Sequence, residues 1–353
     1  MLYFLTKHRE NDIIIMYYFF FKDKIMKILF AFLGGTIGST LSGEYIAPDA
    51  QKSRVLIDAY SKKHGIDFEY DVIEPFSSLS ENNTGIELAK IISFIRNVSG
   101  YDGIIVAHGT DTLQYTSAAL GYYFGNVSVP ICIVSSNYPI EDERANGLYN
   151  LYGAVALIKS QNSNGVFVSY RNGNENIIRI HRATRLLSHD AFSDTLRSAK
   201  GKEYGLVELG GEFCKSLDFF EREDEISAPS VEMLSLSANN ILRLHSYVGM
   251  NYPTLPEEIK YVLIDSYHSG TINTKDPSAK DFFFEAQRRG IKVFMSGAYD
   301  GAQYLSTSLF DELSIIPVSN IAPIALYIKL WFYSLERDVD AKILKQSRGG
   351  DIC

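Results

Sequence analysis

The sequence predicts an α/β protein of two domains: a larger N-terminal unit built on a mostly parallel sheet flanked by helices, and a smaller C-terminal α/β unit. Three observations predict it. Beyond Met26, apolar runs of strand length alternate with segments of helical spacing, the pattern of βαβ units. At 353 residues the chain is long enough for two cores. A charge run, Glu221-Arg222-Glu223-Asp224-Glu225, followed by Ser, Ala and Pro, separates two halves in which the alternation recurs. The expected division is 26–218, a linker at 219–235, and 236–353.

Lys27–Leu33 is the first expected strand. It runs into Gly34 and Gly35, where the backbone must turn and come close to a neighbour, and then presents the hydroxyl of Thr36. Ser39 to Asp49 reads as a polar loop carrying Tyr45. Ala50–His64 has helical spacing and stops at Gly65; Phe68–Ile73 is a strand that ends in a polar stretch containing Ser77, Ser78 and Ser80. After a helical segment at Ile86–Val98, Gly103–Ala107 is a buried strand leading into His108-Gly109-Thr110-Asp111-Thr112 and a helix through Tyr123. Pro130–Val134 is a strand, Leu148–Lys159 a helix and Gly165–Ser169 a strand. In the second half, strands are expected at Ile241–Ser246, Tyr261–Ser266 and Ile291–Met295, and helices at Ser278–Arg289, Ile321–Leu335 and Val339–Gln346.

Composition narrows the function classes. A net charge of −8 argues against general binding of nucleic acid or anionic membranes, which needs a basic face. Cys132, Cys214 and Cys353 are odd in number and widely spaced, with no CxxC or Cys/His ligand pattern. That usage predicts neither disulfides nor a metal site, and it fits a reducing, cytoplasmic compartment. Ile13 to Phe21 is apolar but too short to span a bilayer as a helix, and no small-residue cleavage site follows it. Residues 1–25 therefore read as an extension outside the fold that begins at Met26.

Three strands of the first half end in hydroxyl-bearing loops: Thr36, the Ser77-Ser78 pair, and Thr110 with Asp111. In a parallel sheet these loops share one edge, where open α/β sheets bind ligands. Hydroxyls with one carboxylate and no metal ligands suit nucleophilic attack on an uncharged carbonyl. A threonine nucleophile needs a base, a Tyr phenolate or a Lys amine lowered by burial. Tyr45 and Lys159 are candidates, although periodicity alone does not select Lys159 from the 34 basic residues. Each feature also has a plainer reading. A Gly-Gly-Thr turn also occurs in nucleotide sites, but the GxGxxG spacing is absent; Thr110 and Asp111 also suit a helix N-cap and first-turn acid. His108 has no ligating neighbour in sequence and reads as structural, and Leu326–Leu335, with Trp331, reads as a buried helix face.

Taken together, Gly34-Gly35-Thr36-Ile37-Gly38 and, after a later strand, His108-Gly109-Thr110-Asp111-Thr112 resemble the two motifs of the asparaginase/glutaminase amidohydrolases, nearest to the bacterial cytoplasmic type I L-asparaginase branch. Weaker resemblance runs through Tyr115-Thr116-Ser117-Ala118-Ala119-Leu120, Asn146-Gly147 with Asn150-Leu151, Ser266-Tyr267 and Arg348-Gly349. The resemblance implies hydrolysis of the asparagine side-chain amide through a threonine acyl-enzyme, without cofactor. It makes Thr36 the nucleophile, Tyr45 the lid-loop tyrosine, and Thr110, Asp111 and Lys159 the second hydroxyl with its proton-relay partners. Gly35, Ser77, Ser78, Thr110 and Asp111 would hold the substrate, with Ser77 on the α-carboxylate, Asp111 on the α-ammonium group, and the Thr36 and Thr110 amides as oxyanion donors. It also implies a homodimer or homotetramer. The chain departs from the family pattern at Phe76, at Ala145-Asn146-Gly147, at Ser135-Ser136-Asn137 and at His268-Ser269-Gly270-Thr271. A related amidase or glutaminase, a transamidation subunit and a non-catalytic amino-acid binder are the alternatives.

Overall fold

Two sheets, of eight and four strands, organise the computed structural model of the chain, which describes residues 4–9, 12–17, 25–34, 39–42, 45–48, 52–232, 237–298 and 304–353. Strands β1 (Phe4–Arg9) and β2 (Asp12–Tyr17) form a separate antiparallel pair, bonded to neither large sheet. The chain then passes through β3 (Lys27–Phe32), the short antiparallel pair β4 (Ser39–Ser42) and β5 (Tyr45–Pro48), helix α1 (Lys52–His64) and β6 (Glu69–Ile73). Next come α2 (Gly85–Arg96), β7 (Gly103–Ala107), α3 (Leu113–Phe124), β8 (Ile131–Val134), α4 (Gly147–Lys159) and β9 (Val166–Tyr170). Three further strands, β10 (Ile177–Arg182), β11 (Gly205–Glu208) and β12 (Phe213–Lys215), complete the sheet.

The strand order is β12-β11-β10-β9-β8-β7-β3-β6, parallel from β6 through β9 and antiparallel from β9 to β12. From β3 the chain first adds β6 on one side and then β7 on the other. The crevice at the carboxyl ends of β3 and β7 is therefore a topological switch point, the place where such sheets bind ligands. Alternation along β3 serves two cores: Leu29, Ala31 and Leu33 pack toward α2 and α3, while Ile28, Phe30 and Phe32 pack toward α1 and α4. Helix α2 begins at a capping box in which Thr84 and Glu87 satisfy each other's end of the first turn.

The second sheet, β13 (Ile241–His245), β14 (Tyr261–Asp265), β15 (Lys292–Ala298) and β16 (Ile315–Ser319), is parallel throughout. Helix α5 (Pro277–Arg288) covers one of its faces, capped by Asp276. Helix α6 (Pro323–Ser334) covers the other, and it also packs on α3, so a single apolar cluster joins the two sheets. Helix α7 (Ala341–Lys345) leads into a C-terminal strap. Arg348 donates to the carbonyls of Tyr122 and Tyr123, and Asp351 meets Lys329 at 2.6 Å with both side chains fully buried. The charge run between the sheets is equally engaged: Glu221 pairs with Arg182, Asp224 with Arg348, and Glu225 accepts from the Ser347 amide.

The β1–β2 pair, antiparallel β10–β12 and strand β16 lie where the sequence suggests no strand, and Ser39–Asp49, expected as a polar loop, contains the β4–β5 pair. β11 and β12 are short, and their alternation is broken by Gly205 and Cys214. β16 contains Pro317, which is compatible with a strand only at an edge, and β16 is the edge of its sheet.

Candidate active site

The switch point is held by three backbone contacts. The Leu33 amide donates to the Ala107 carbonyl at 3.0 Å, the Ser78 amide donates to the Leu33 carbonyl at 3.1 Å, and Gly34 and Ser78 form a parallel bridge. The loops after β3, β6 and β7 are thereby fixed side by side. Gly34 has φ +94°, and a Cβ there would lie 2.4 Å from the Ser78 carbonyl oxygen and 2.7 Å from its nitrogen, so no other residue fits. Gly35 and Thr36 lie outside the described residues. Tyr45 heads β5, opposite Ser42.

The two serines beside Gly34 differ. Ser78 is half-buried and its hydroxyl donates to Asn83 Oδ1 at 2.6 Å; Ser77 is exposed and makes no hydrogen bond among the described residues. Asn83 Nδ2 lies 3.4 Å from His108 Nε2, and Thr116 Oγ1 lies 2.8 Å from the same nitrogen. Because His108 Nδ1 sits 2.7 Å from the Gly109 carbonyl, it must carry the proton, and Nε2 is the acceptor. Burial pushes this imidazole down to about 4, so it is neutral at ordinary pH. His108 is structural, as its sequence context suggests. Its work is to lock the turn that presents Thr110 and, through Asn83, the loop that presents Ser77.

Thr110 and Asp111 are not consumed as caps. The N-cap of α3 is Thr112, which makes no side-chain capping bond and instead donates to the Ser80 carbonyl at 2.8 Å. Half-buried Thr110 and exposed Asp111 line a cavity of about 410 Å³ together with Gln114 and Tyr115. Its opposite wall is Tyr170, at the end of β9, and a segment carrying Ser188, His189, Ser193 and Asp194. That segment is closed at its base by a Leu186–Ser198 bridge and by Asn172, which both donates to the Leu196 carbonyl and accepts from its amide. Asn137 Nδ2 donates to Asp194 at 2.8 Å, while Asn137 and Asn146 exchange amide-to-side-chain bonds of 3.0 and 3.1 Å. Two departures from the family pattern, Asn137 and Asn146, are thus partners of each other. Burial raises the Tyr170 phenol to about 12 and lowers the His189 imidazole below its ordinary value.

Sequence reasoning missed this wall. Tyr170 lies just past the expected end of its strand, and His189 and Asp194 follow an antiparallel strand that the sequence reading does not include.

Lys159 is a correction. It occupies the last turn of α4, and its Nζ pairs with Asp67 at 2.7 Å, with the two side chains 41% and 70% exposed. Helix α4 begins beside the carboxyl ends of β8 and β9, where Asn146 and Asn150 bind the Arg171 and Ser135 carbonyls. It therefore ends at the amino edge of the sheet, as does Asp67, just before β6. Strand β7, five residues or about 16 Å long, lies between that edge and Thr110. The structure brings Gly34, Ser77, Ser78, Thr110 and Asp111 to one edge and leaves Lys159 at the other. Among the described residues no group of His, Cys, Asp and Glu is arranged to hold a metal ion.

Comparison with known proteins decides the family. The model of the N-terminal asparaginase domain matches residues 27–210, more than half of the chain. The chain belongs to the asparaginase family. It is 28% identical over 334 residues to L-asparaginase 1 of Escherichia coli K12, covering 91% of this chain and 95% of that protein. It is also 25% identical over 282 residues to a glutamyl-tRNA(Gln) amidotransferase component from Sulfurisphaera tokodaii, spanning 61% of that protein's length and 75% of its own. In fold, this asparaginase-family chain matches the thermostable L-asparaginase of Thermococcus kodakarensis with a TM-score of 0.74 at 20% identity, over 93% of this chain and 99% of the other. L-asparaginase I of Vibrio cholerae gives 0.73 at 20% identity, over 94% and 100%.

Proposed function

We propose that the chain hydrolyses the side-chain amide of L-asparagine to L-aspartate and ammonia. In this reading Thr36 attacks the amide carbon, ammonia leaves, and water hydrolyses the resulting ester. The Thr36 and Thr110 amides hold the oxyanion, and the loss of one such donor typically costs about 10²–10³ in rate. Ser77 holds the α-carboxylate, Asp111 the α-ammonium group, and Tyr45, the first residue of β5, is the tyrosine that serves the nucleophile. Ser78 fixes the loop that carries Ser77, and Thr110 supplies the second hydroxyl. Nucleophile, oxyanion donors and proton carriers are all protein groups, so the route needs no cofactor.

The observation that carries this reading is the pair of backbone bonds from Leu33 to Ala107 and from Ser78 to Leu33, which gather the three hydroxyl-bearing loops at the switch point. Among the described residues no helix is long and apolar enough to cross a membrane, and the three cysteines are unpaired. Both fit a cytoplasmic enzyme. Exposed Tyr247 and Val248 after β13, and Tyr304 and Leu305 after β15, on one edge of the second sheet, support assembly into a homodimer or homotetramer.

The test is ammonia release from asparagine, glutamine and small amides. Wild type should favour asparagine, and Thr36→Ala should lower the rate at least about a thousandfold. Unchanged release by Thr36→Ala would refute the assignment. The similarity to the amidotransferase component favours a second reading, glutamine as ammonia donor to a transamidation complex, and a marked preference for glutamine in the same assay would select it.

A further inference from the structure

We propose that Gln114 and Asp194 complete, with Asp111, a pocket of three acceptors for the α-ammonium group of the substrate, and so restrict the chain to amides of α-amino acids. The assignment rests on the amide-hydrolase reading, in which Asp111 receives that group, and it adds two residues that the sequence does not single out. Asp111 lies on the turn before α3, Gln114 in the first turn of that helix, and Asp194 on the facing wall. All three line the cavity of about 410 Å³.

Gln114 is 3% exposed and makes no hydrogen bond among the described residues. A buried amide left unpaired is costly, so its partner is expected from the cavity it lines. In contrast to the ring nitrogens of His189, its amide is not sealed from solvent, and a ligand in the cavity can reach it. Asp194 is exposed, and Asn137 Nδ2 donates to its Oδ2 at 2.8 Å, which leaves Oδ1 without a partner among the described residues. The Asp111 side chain, also exposed, has no hydrogen bond or ion pair among them. Both carboxylates lie near enough to the His189 ring to favour its charged form, which places them about one point. Asp190, the third acid there, is already paired with Arg197 at 2.8 Å.

Charge then selects the ligand. Among the described residues neither lysine nor arginine lines the cavity, so two carboxylates face it without a counter-ion. They repel a further anion and attract a cation. An ammonium group has three N–H donors and no acceptor, which matches Asp111, Asp194 Oδ1 and Gln114 Oε1. An amide without that group leaves all three acceptors unmet, the situation in which a polar site discriminates most strongly.

The experiment is calorimetric binding of L-aspartate and of succinate, which lacks only the amino group, to wild type, Gln114→Met and Asp194→Asn. Ammonia release from L-asparagine and from succinamate, a pair related in the same way, is measured beside it. Wild type should bind aspartate at least about a hundredfold tighter than succinate. Each variant should lose about tenfold to a hundredfold in aspartate affinity and raise KM for asparagine to match, with kcat nearly unchanged. Succinate affinity and kcat/KM for succinamate should not fall, whereas a merely structural role would weaken both members of each pair alike. An aspartate-to-succinate ratio unchanged in both variants, or a wild type that does not distinguish the two, overturns the assignment alone. Wild type that releases no ammonia from any amide overturns the hydrolase reading, while an aspartate preference that both variants lose upholds the ammonium pocket independently of it.

Discussion

The two edges of the eight-stranded sheet treat polar groups in opposite ways. At the amino edge they satisfy one another: Lys159 pairs with Asp67, Lys27 with Asp71 at 2.7 Å, and the Lys27 amide donates to Asp102. The two ion pairs are substantially exposed, and such pairs contribute about 0–1 kcal/mol each. At the carboxyl edge some polar groups are buried and spent on the backbone, as His108 is, while others around a cavity, the His189 ring nitrogens and the Tyr170 hydroxyl, reach no partner at full hydrogen-bond geometry among the described residues. One edge is finished by folding. The other leaves polar groups over, beside a cavity. A cleft of about 480 Å³ also exists beside Lys159, lined by Tyr60, Tyr152 and the 210–213 turn, so size alone does not separate the edges; the unmet polar atoms do.

The largest expected effect that sharpens this contrast is on stability in acid. His108 is fully buried with its pKa depressed from 6.5 to about 4. Its contribution is complete above the unfolded value of 6.5 and is lost as pH falls toward 4, because the unfolded chain binds the proton first. That shift corresponds to about 3 kcal/mol, and buried His181, also depressed, acts in the same direction. Urea midpoints measured from about pH 7.5 to about pH 4.5 should fall accordingly, and less steeply in His108→Gln. A profile equally steep in that variant would show that His108 does not set the acid limit. The amino edge should give the smallest effect. Lys159→Met should change stability by no more than about 1 kcal/mol and leave kcat for asparagine within about twofold. A hundredfold loss of kcat would restore Lys159 to the chemistry and break the comparison.

The legible parts of the fold were those where local pattern and global position agree. β3, β7 and β8 are buried on both faces and read as continuous apolar runs, and Gly34 announced a close approach that the Ser78 backbone makes concrete. Thr110 and Asp111 were legible because they follow such a strand directly. Lys159 was misplaced although the geometry of a βαβ unit argues against it: the crossover helix runs back along the sheet, so its last turn reaches the amino edge. His189 was invisible for another reason. It sits on an irregular segment held by Asn172 and by the Leu186–Ser198 bridge, long-range contacts that leave no periodicity.

The most direct test is a crystal structure with L-aspartate, the product of the proposed reaction. Aspartate is expected at the carboxyl edge, its α-carboxylate on Ser77, its α-ammonium group on Asp111 and its side-chain carboxylate beside Thr110 and His189. Aspartate bound instead in the cleft beside Lys159, with the Thr110 cavity empty, would contradict the proposed site.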